Sequence, residues 1–229
     1  MKKKIVYFIL LFSFGITWIW AAIEPLHYAD WVLENVLVLL FMILILLTGR
    51  MFEFSLFSYV LMTFFMILHV IGSHYTYAEV PWGYTLGEYL GTERNMYDRL
   101  VHLLFGLLFV YPVREMSVRI AKTKGFWGYF VPFMIVSSFA GFYEIVEWGA
   151  ASVVDPEAGV AFLGTQGDIW DAQKDMLLAI VGSFVSLFLV MLVHIIWNKA
   201  FYAEFKESFK LSKDDKPMGE VLLEEMMKK

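Results

Sequence analysis

The sequence predicts an all-α fold: a polytopic transmembrane bundle of about six membrane-spanning helices, with both termini in the cytoplasm. Three observations predict it. Of 229 residues, 59% are hydrophobic and 18% charged, with a mean hydropathy of +0.63; a soluble domain is about half apolar and about a quarter charged. The apolar residues fall in long blocks of about the length that crosses a bilayer. The basic residues divide very unequally between the connections that alternate along the chain.

Lys2, Lys3 and Lys4 precede the first block, residues 5–23. A signal peptide has an apolar core of about 7–15 residues and a small-residue cleavage site. This block is longer, and Ala21-Ala22 runs straight into Ile23 and Glu24, so it is expected to remain as the first helix. The second and third spans are expected over 31–48 and 54–73. A connection rich in Gly, Tyr and Glu leads to the fourth, 98–113, and a basic loop at 114–124 leads to the fifth, 126–150. An acidic, glycine-containing connection at 151–173 precedes the sixth, 174–197. Residues 1–198 are thus read as one transmembrane domain and 199–229 as a cytoplasmic tail. In the tail Phe201, Phe205 and Phe209 alternate with Lys206 and Lys210, as in an amphipathic helix at the interface or a charged extension of the last span.

Alternate threading collects Lys2–Lys4, Arg50, Arg114, Arg119, Lys122, Lys124 and the lysines after Trp197 on one face, 15 of the 18 basic residues. Arg94, Arg99 and Lys174 fall on the other. The positive-inside bias makes the first face cytoplasmic, and 14 of the 23 acids then lie on the exoplasmic side. The bilayer is the expected partner. Most of the tryptophans flank the spans, as interfacial anchors do. Cysteine is absent, which excludes disulfides, thiolate metal sites and cysteine nucleophiles. No basic stripe interleaved with aromatics points to nucleic acid. Nothing in the pattern sets an oligomeric state.

The acids outside the cytoplasmic face are spaced for chemistry. Asp98 and His102 are four apart, Glu144 and Glu147 three apart, and Asp168, Asp171 and Asp175 follow i, i+3, i+7, so each set shares one helix face. Small residues continue the same stripes: Gly106; Gly141, Ala140 and Ser137; Ala179, Gly182, Ser183 and Ser186. Such stripes let membrane helices approach closely. If the three face one another, the carboxylates and His102 meet in a cup opening outwards. Several adjacent carboxylates need a proton or a cation to coexist, and an oxygen and imidazole donor set without thiolate suits zinc, manganese or iron. Asp98, His102, Glu144, Asp171 and Asp175 are the candidate ligands and Glu147 the candidate general base; Glu34, His69 and His74 lie near the same face.

Blander roles compete. Asp168 fits a helix cap, Asp98 has Arg94 and Arg99 nearby, Asp171 has Lys174, and His194 fits the interface at the cytoplasmic end. Glu144 and Glu147 sit in an apolar span with no neighbouring base, where a functional role is the default.

The stretches around Tyr97–His102, Gly141–Trp148 and the G-T-Q-G-D-x-W-D run from Gly164 resemble the YjdF-like bacterial inner-membrane proteins over nearly the whole chain. The resemblance implies location and fold and supplies no reaction. A more distant likeness is to VanZ-like membrane proteins, with a D-x-x-x-H helix matched by Asp98 and His102 and a later glutamate matched by Glu144. Glu147 stands where that pattern has glutamine and Asp175 where it has asparagine after Asp171, while Leu178 replaces its first glycine. The departures make this site more acidic.

Three functions follow as expectations. One is a metal-dependent enzyme acting on an amphiphilic or phosphorylated substrate at the exoplasmic leaflet. The others are a small transporter or proton-coupled carrier titrating Glu144 and Glu147, and a structural or accessory membrane protein. The enzyme leads the carrier because the polar groups gather at one depth and trace no path across.

Overall fold

The computed structural model describes residues 2–153, 159, 163–211 and 217–227. Part of the acidic connection expected at 151–173 and part of the tail lie outside them. Among the described residues there are helices and no strand. In chain order they are α1 Lys2–Ala21, α2 Tyr28–Thr48, α3 Leu56–Tyr75, a 3-10 turn Tyr77–Glu79, α4 Pro81–Tyr89, α5 Tyr97–Arg119, α6 Trp127–Val153, α7 Asp171–Trp197, α8 Phe201–Glu207 and α9 Met218–Met227. Six of them (α1, α2, α3, α5, α6 and α7) are long and apolar enough to cross a membrane.

Two boundaries moved for identifiable reasons. The fourth span runs on through the expected basic loop to Arg119, because Glu115 and Arg119 pair at 2.6 Å one turn apart. Glu115 also accepts the Ser55 N–H at 2.8 Å and the Ser58 hydroxyl at 2.6 Å, which ties the start of α3 to the end of α5. The sixth helix starts at Asp171, three residues early, with that acid in its first turn where the helix dipole favours it. The connection after α3 contains the short helix α4, opened by Pro81 at a position where a missing N–H costs nothing.

The long helices alternate in direction, giving the bundle two chemically different ends. At the basic end Tyr7 bonds Glu53, and Tyr129 of α6 bonds His194 of α7 at 2.6 Å beside Arg114 of α5. The tail folds back here: Phe126 packs on Phe205 and Phe209, and the Trp127 indole donates to the Ser208 carbonyl at 2.9 Å. At the acidic end Leu26 N–H donates to His74 O at 2.8 Å, and the starts of α5 and α7 meet.

The closest packing joins α5 to α7. A Cβ on Gly106 would stand 1.9 Å from the Ala179 carbonyl oxygen, and one on Gly182 would stand 2.1 Å from that of Leu103. Only glycine permits this backbone approach, which is the role expected of the small-residue stripes. α6 completes one group by packing on α5 and α7. α1 and α2 pack on α3 to make the second group, and α3 against α5 joins the two. Phe105 touches both apolar cores and so lies between the groups. Large apolar side chains such as Phe8, Leu46, Phe139 and Phe184 remain exposed on the outer faces, as a lipid solvent requires.

Candidate functional site

The first two turns of α5 supply Asp98, Arg99 and His102 at the acidic end. Arg99 is 5% exposed, and an arginine so deep in a membrane span must be fully partnered. Its partners come from the start of α7: Asp171 at 2.5 Å, Asp175 at 2.6 Å, Asp168 at 3.1 Å and the Asp171 carbonyl at 2.7 Å. Arg94 adds a second guanidinium to Asp171 at 2.5 Å and donates to the Thr165 carbonyl. Asp168 accepts the Trp170 N–H at 3.0 Å, the capping role open to it, and also holds Lys174 at 2.6 Å. That ammonium keeps the half-buried Asp168 carboxyl below its ordinary range. Lys174 therefore serves Asp168, and Asp171 belongs to the arginines.

A second group forms one turn deeper and has no arginine of its own. His102 presents Nε2 to Asp98 Oδ1 at 3.5 Å and Nδ1 to Glu144 Oε1 at 3.7 Å. Asp98, His102 and Asp175 each offer one ligand atom, all within 4.8 Å of one another. Two buried oxygens here have no hydrogen-bond partner, Glu144 Oε1 and Asp175 Oδ1. Glu147 lies one turn further along α6 and, among the described residues, forms no ion pair. Glu144 is neither in lipid nor distant: its side chain is 10% exposed and faces His102.

The remaining residues near this face have settled roles. The Glu34 carbonyl lies 3.1 Å from His69 Nε2 and can only accept, so Nε2 carries the proton. Nδ1 then accepts the Tyr77 hydroxyl, 2.5 Å away. Both ring nitrogens are thus committed. The Glu34 carboxylate accepts the Tyr143 hydroxyl at 3.2 Å, and His74 bonds the Ala21 carbonyl at 3.2 Å. Sequence reasoning missed the depth of Arg99 and the role of Tyr143. The signal for Arg99 was present, since it sits between Asp98 and His102 and shares their burial.

The geometry defines a class: a polytopic α-helical membrane protein with a carboxylate–histidine cluster buried at one end of its bundle. Residues 6–196 match the family described as "Predicted membrane protein (DUF2238)", and the chain belongs to it. The chain is similar to the inner membrane protein YjdF of Escherichia coli (strain K12), 35% identical over 167 residues, covering 72% of this chain and 78% of that one. No solved structure matches it significantly.

Proposed function

We propose that Asp98, His102, Glu144 and Asp175 hold one divalent cation of the zinc, manganese or iron class. On this reading the protein is a metal-dependent membrane enzyme acting on an amphiphilic or phosphorylated substrate at the exoplasmic leaflet. The observation that carries the reading is the convergence of three ligand atoms within 4.8 Å around His102, with Glu144 Oε1 and Asp175 Oδ1 buried and unpartnered beside them. A buried carboxylate oxygen without a donor is costly, and a cation held among these side chains would offset that cost. Three oxygens and one imidazole nitrogen match the metals named, and facing helices of a bundle with i, i+4 spacing are a common frame for such centres. Asp171, claimed by two guanidiniums, stands behind the ligands and orients Arg99 against Asp175.

A cation at this position supplies Lewis acidity toward a phosphoryl or carbonyl oxygen and acidifies a bound water. Glu147, one turn from Glu144 and without a cation of its own, is placed to accept the proton. The exoplasmic assignment rests on the positive-inside rule applied to the basic end. The carrier reading is weaker, because the buried unpartnered polar groups between the two ends, such as Ser137 and Ser183, are isolated from one another.

Metal analysis of the purified protein tests the proposal. About one divalent ion per chain is expected, with the ion lost in His102→Ala and in Glu144→Ala and kept in His69→Ala. Wild-type protein that is metal-free and unchanged in stability on adding zinc, manganese or iron would overturn it.

A further inference from the structure

The two helix groups meet chiefly where α3 packs on α5. α6 also packs on α5, whereas α2 and α6, among the described residues, share little backbone contact with each other. α2 reaches α5 through Phe41 against Phe109, at 5.8 Å between ring centroids, and Phe105 continues the same floor. Among the described residues one polar contact crosses from α2 to α6, the Tyr143 hydroxyl to Glu34 at 3.2 Å. Tyr143 neighbours Glu144 in sequence, and its ring lies 6.0 Å from that of His102. The seam therefore ends at the candidate metal site, apolar along its floor and polar at its head.

On the water side, described loop residues are pinned over the start of α5. The loop before α7 is pinned to the start of α5 by a reciprocal pair: Asn95 N–H to Gln166 Oε1 at 2.8 Å, and Gln166 Nε2 to the Asn95 carbonyl at 3.1 Å. Arg94 fastens the same loop through Thr165 and Asp171. Asn95 is fully buried beneath it. A depression of about 300 Å³ on this roof is lined by His27, Thr76, Glu79 and residues 164–167, and by none of the proposed ligands.

We infer that the seam between α2 and α6 is a lateral entrance from the bilayer, through which the chain of a membrane lipid passes while its polar head reaches His102 and Glu144, with the Tyr143–Glu34 hydrogen bond as the latch. The occupant is a lipid because the seam opens onto hydrocarbon, its floor is phenylalanine, and its polar groups are confined to the head. The latch suits a reversible gate. Among the described residues Glu34 has no lysine or arginine partner, so parting it from Tyr143 breaks one hydrogen bond and separates no guanidinium pair. The inference rests on the site proposed above for its destination, and its test does not need the metal.

Carbodiimides modify carboxyl groups, and a lipid-soluble and a water-soluble carbodiimide approach from different phases. Full-length protein in vesicles is treated with each, and adducts at Glu34, Glu144 and Glu147 are read by mass spectrometry. The lipid-soluble reagent is expected to modify these residues and the water-soluble one to leave them. Tyr143→Phe, which removes the latch donor, should speed modification of Glu144 about five-fold, the change given by a hydrogen bond worth about 1 kcal/mol. Glu34→Gln keeps an acceptor for Tyr143 and should leave the Glu144 rate near wild type. Equal modification from water, or an unchanged Glu144 rate in Tyr143→Phe, overturns the entrance. A bound ion would shield Glu144, so the labelling is done on protein stripped of divalent ions by a chelator, and metal content is measured beforehand. Protein that held metal but shows no lateral labelling once stripped rejects the entrance alone, and lateral labelling of protein that held no metal as purified rejects the metal alone.

Discussion

Two halves of the same acidic end answer the problem of buried charge in opposite ways. In the half built from Arg94, Arg99, Asp168 and Asp171, each acid meets a guanidinium or ammonium within about salt-bridge distance, and the network closes on itself. In the half built from Asp98, His102, Glu144 and Glu147, the carboxylates outnumber the one imidazole, and buried oxygens are left over. Asp175 joins the two, with Oδ2 on Arg99 and Oδ1 unpartnered. In the first half every acid is paired and a donor, Arg94 Nε, is left over; in the second a carboxylate oxygen is left over, and on the proposed reading that is where a cation belongs.

The comparison breaks if removing a charge has the same effect in both halves. Arg99→Leu should be the most damaging change, since it strands Asp175 and leaves Asp171 to Arg94 alone; a loss of about 3–5 kcal/mol is expected for a broken buried pair, read by unfolding in detergent. Next comes the metal itself. At a concentration a hundredfold above its Kd, a divalent ion bound only by the folded state should stabilise the wild type by about 2.7 kcal/mol. His102→Ala and Glu144→Gln should lose that gain, and Glu144→Gln should match the wild type when metal is withheld.

Asp171→Asn weakens two charged hydrogen bonds and should cost about 2 kcal/mol with or without metal. Opposite signs for Asp171→Asn and metal-free Glu144→Gln would sharpen the division; equal losses would erase it. The smallest effect belongs to Asp168. Its carboxyl is held below the ordinary 3.8 by Lys174 and the Trp170 N–H, so its contribution is present above that pH and disappears as the pH falls below it. Asp168→Asn should therefore lower the melting temperature slightly at neutral pH and flatten its decline in strong acid.

The spans and the convergence of Asp98, His102, Glu144 and Asp175 were legible because a period of 3.6 and a hydropathy window are local properties. Glycines at 106 and 182 announced the α5–α7 contact for the same reason. The partition of the acids was not legible. Lys174 lies three residues from Asp171 and six from Asp168, yet it bonds Asp168, because Arg94 and Arg99 arrive from another helix. Tyr143 read as one aromatic among many; its hydroxyl matters only because α2 places Glu34 opposite, a contact between residues 109 positions apart. The short helix α4 was hidden in a connection whose glycines read as loop. Gly83 and Gly87 are there for close approach to Asn95 and Arg94.

X-ray absorption at the metal edge tests the central claim most directly, because it sees the ligands of a bound ion and ignores the rest of the chain. Protein loaded with zinc should show an oxygen and nitrogen shell containing one imidazole, and His102→Ala should remove the imidazole signature. A shell without imidazole, or one unaltered by that substitution, would contradict the account.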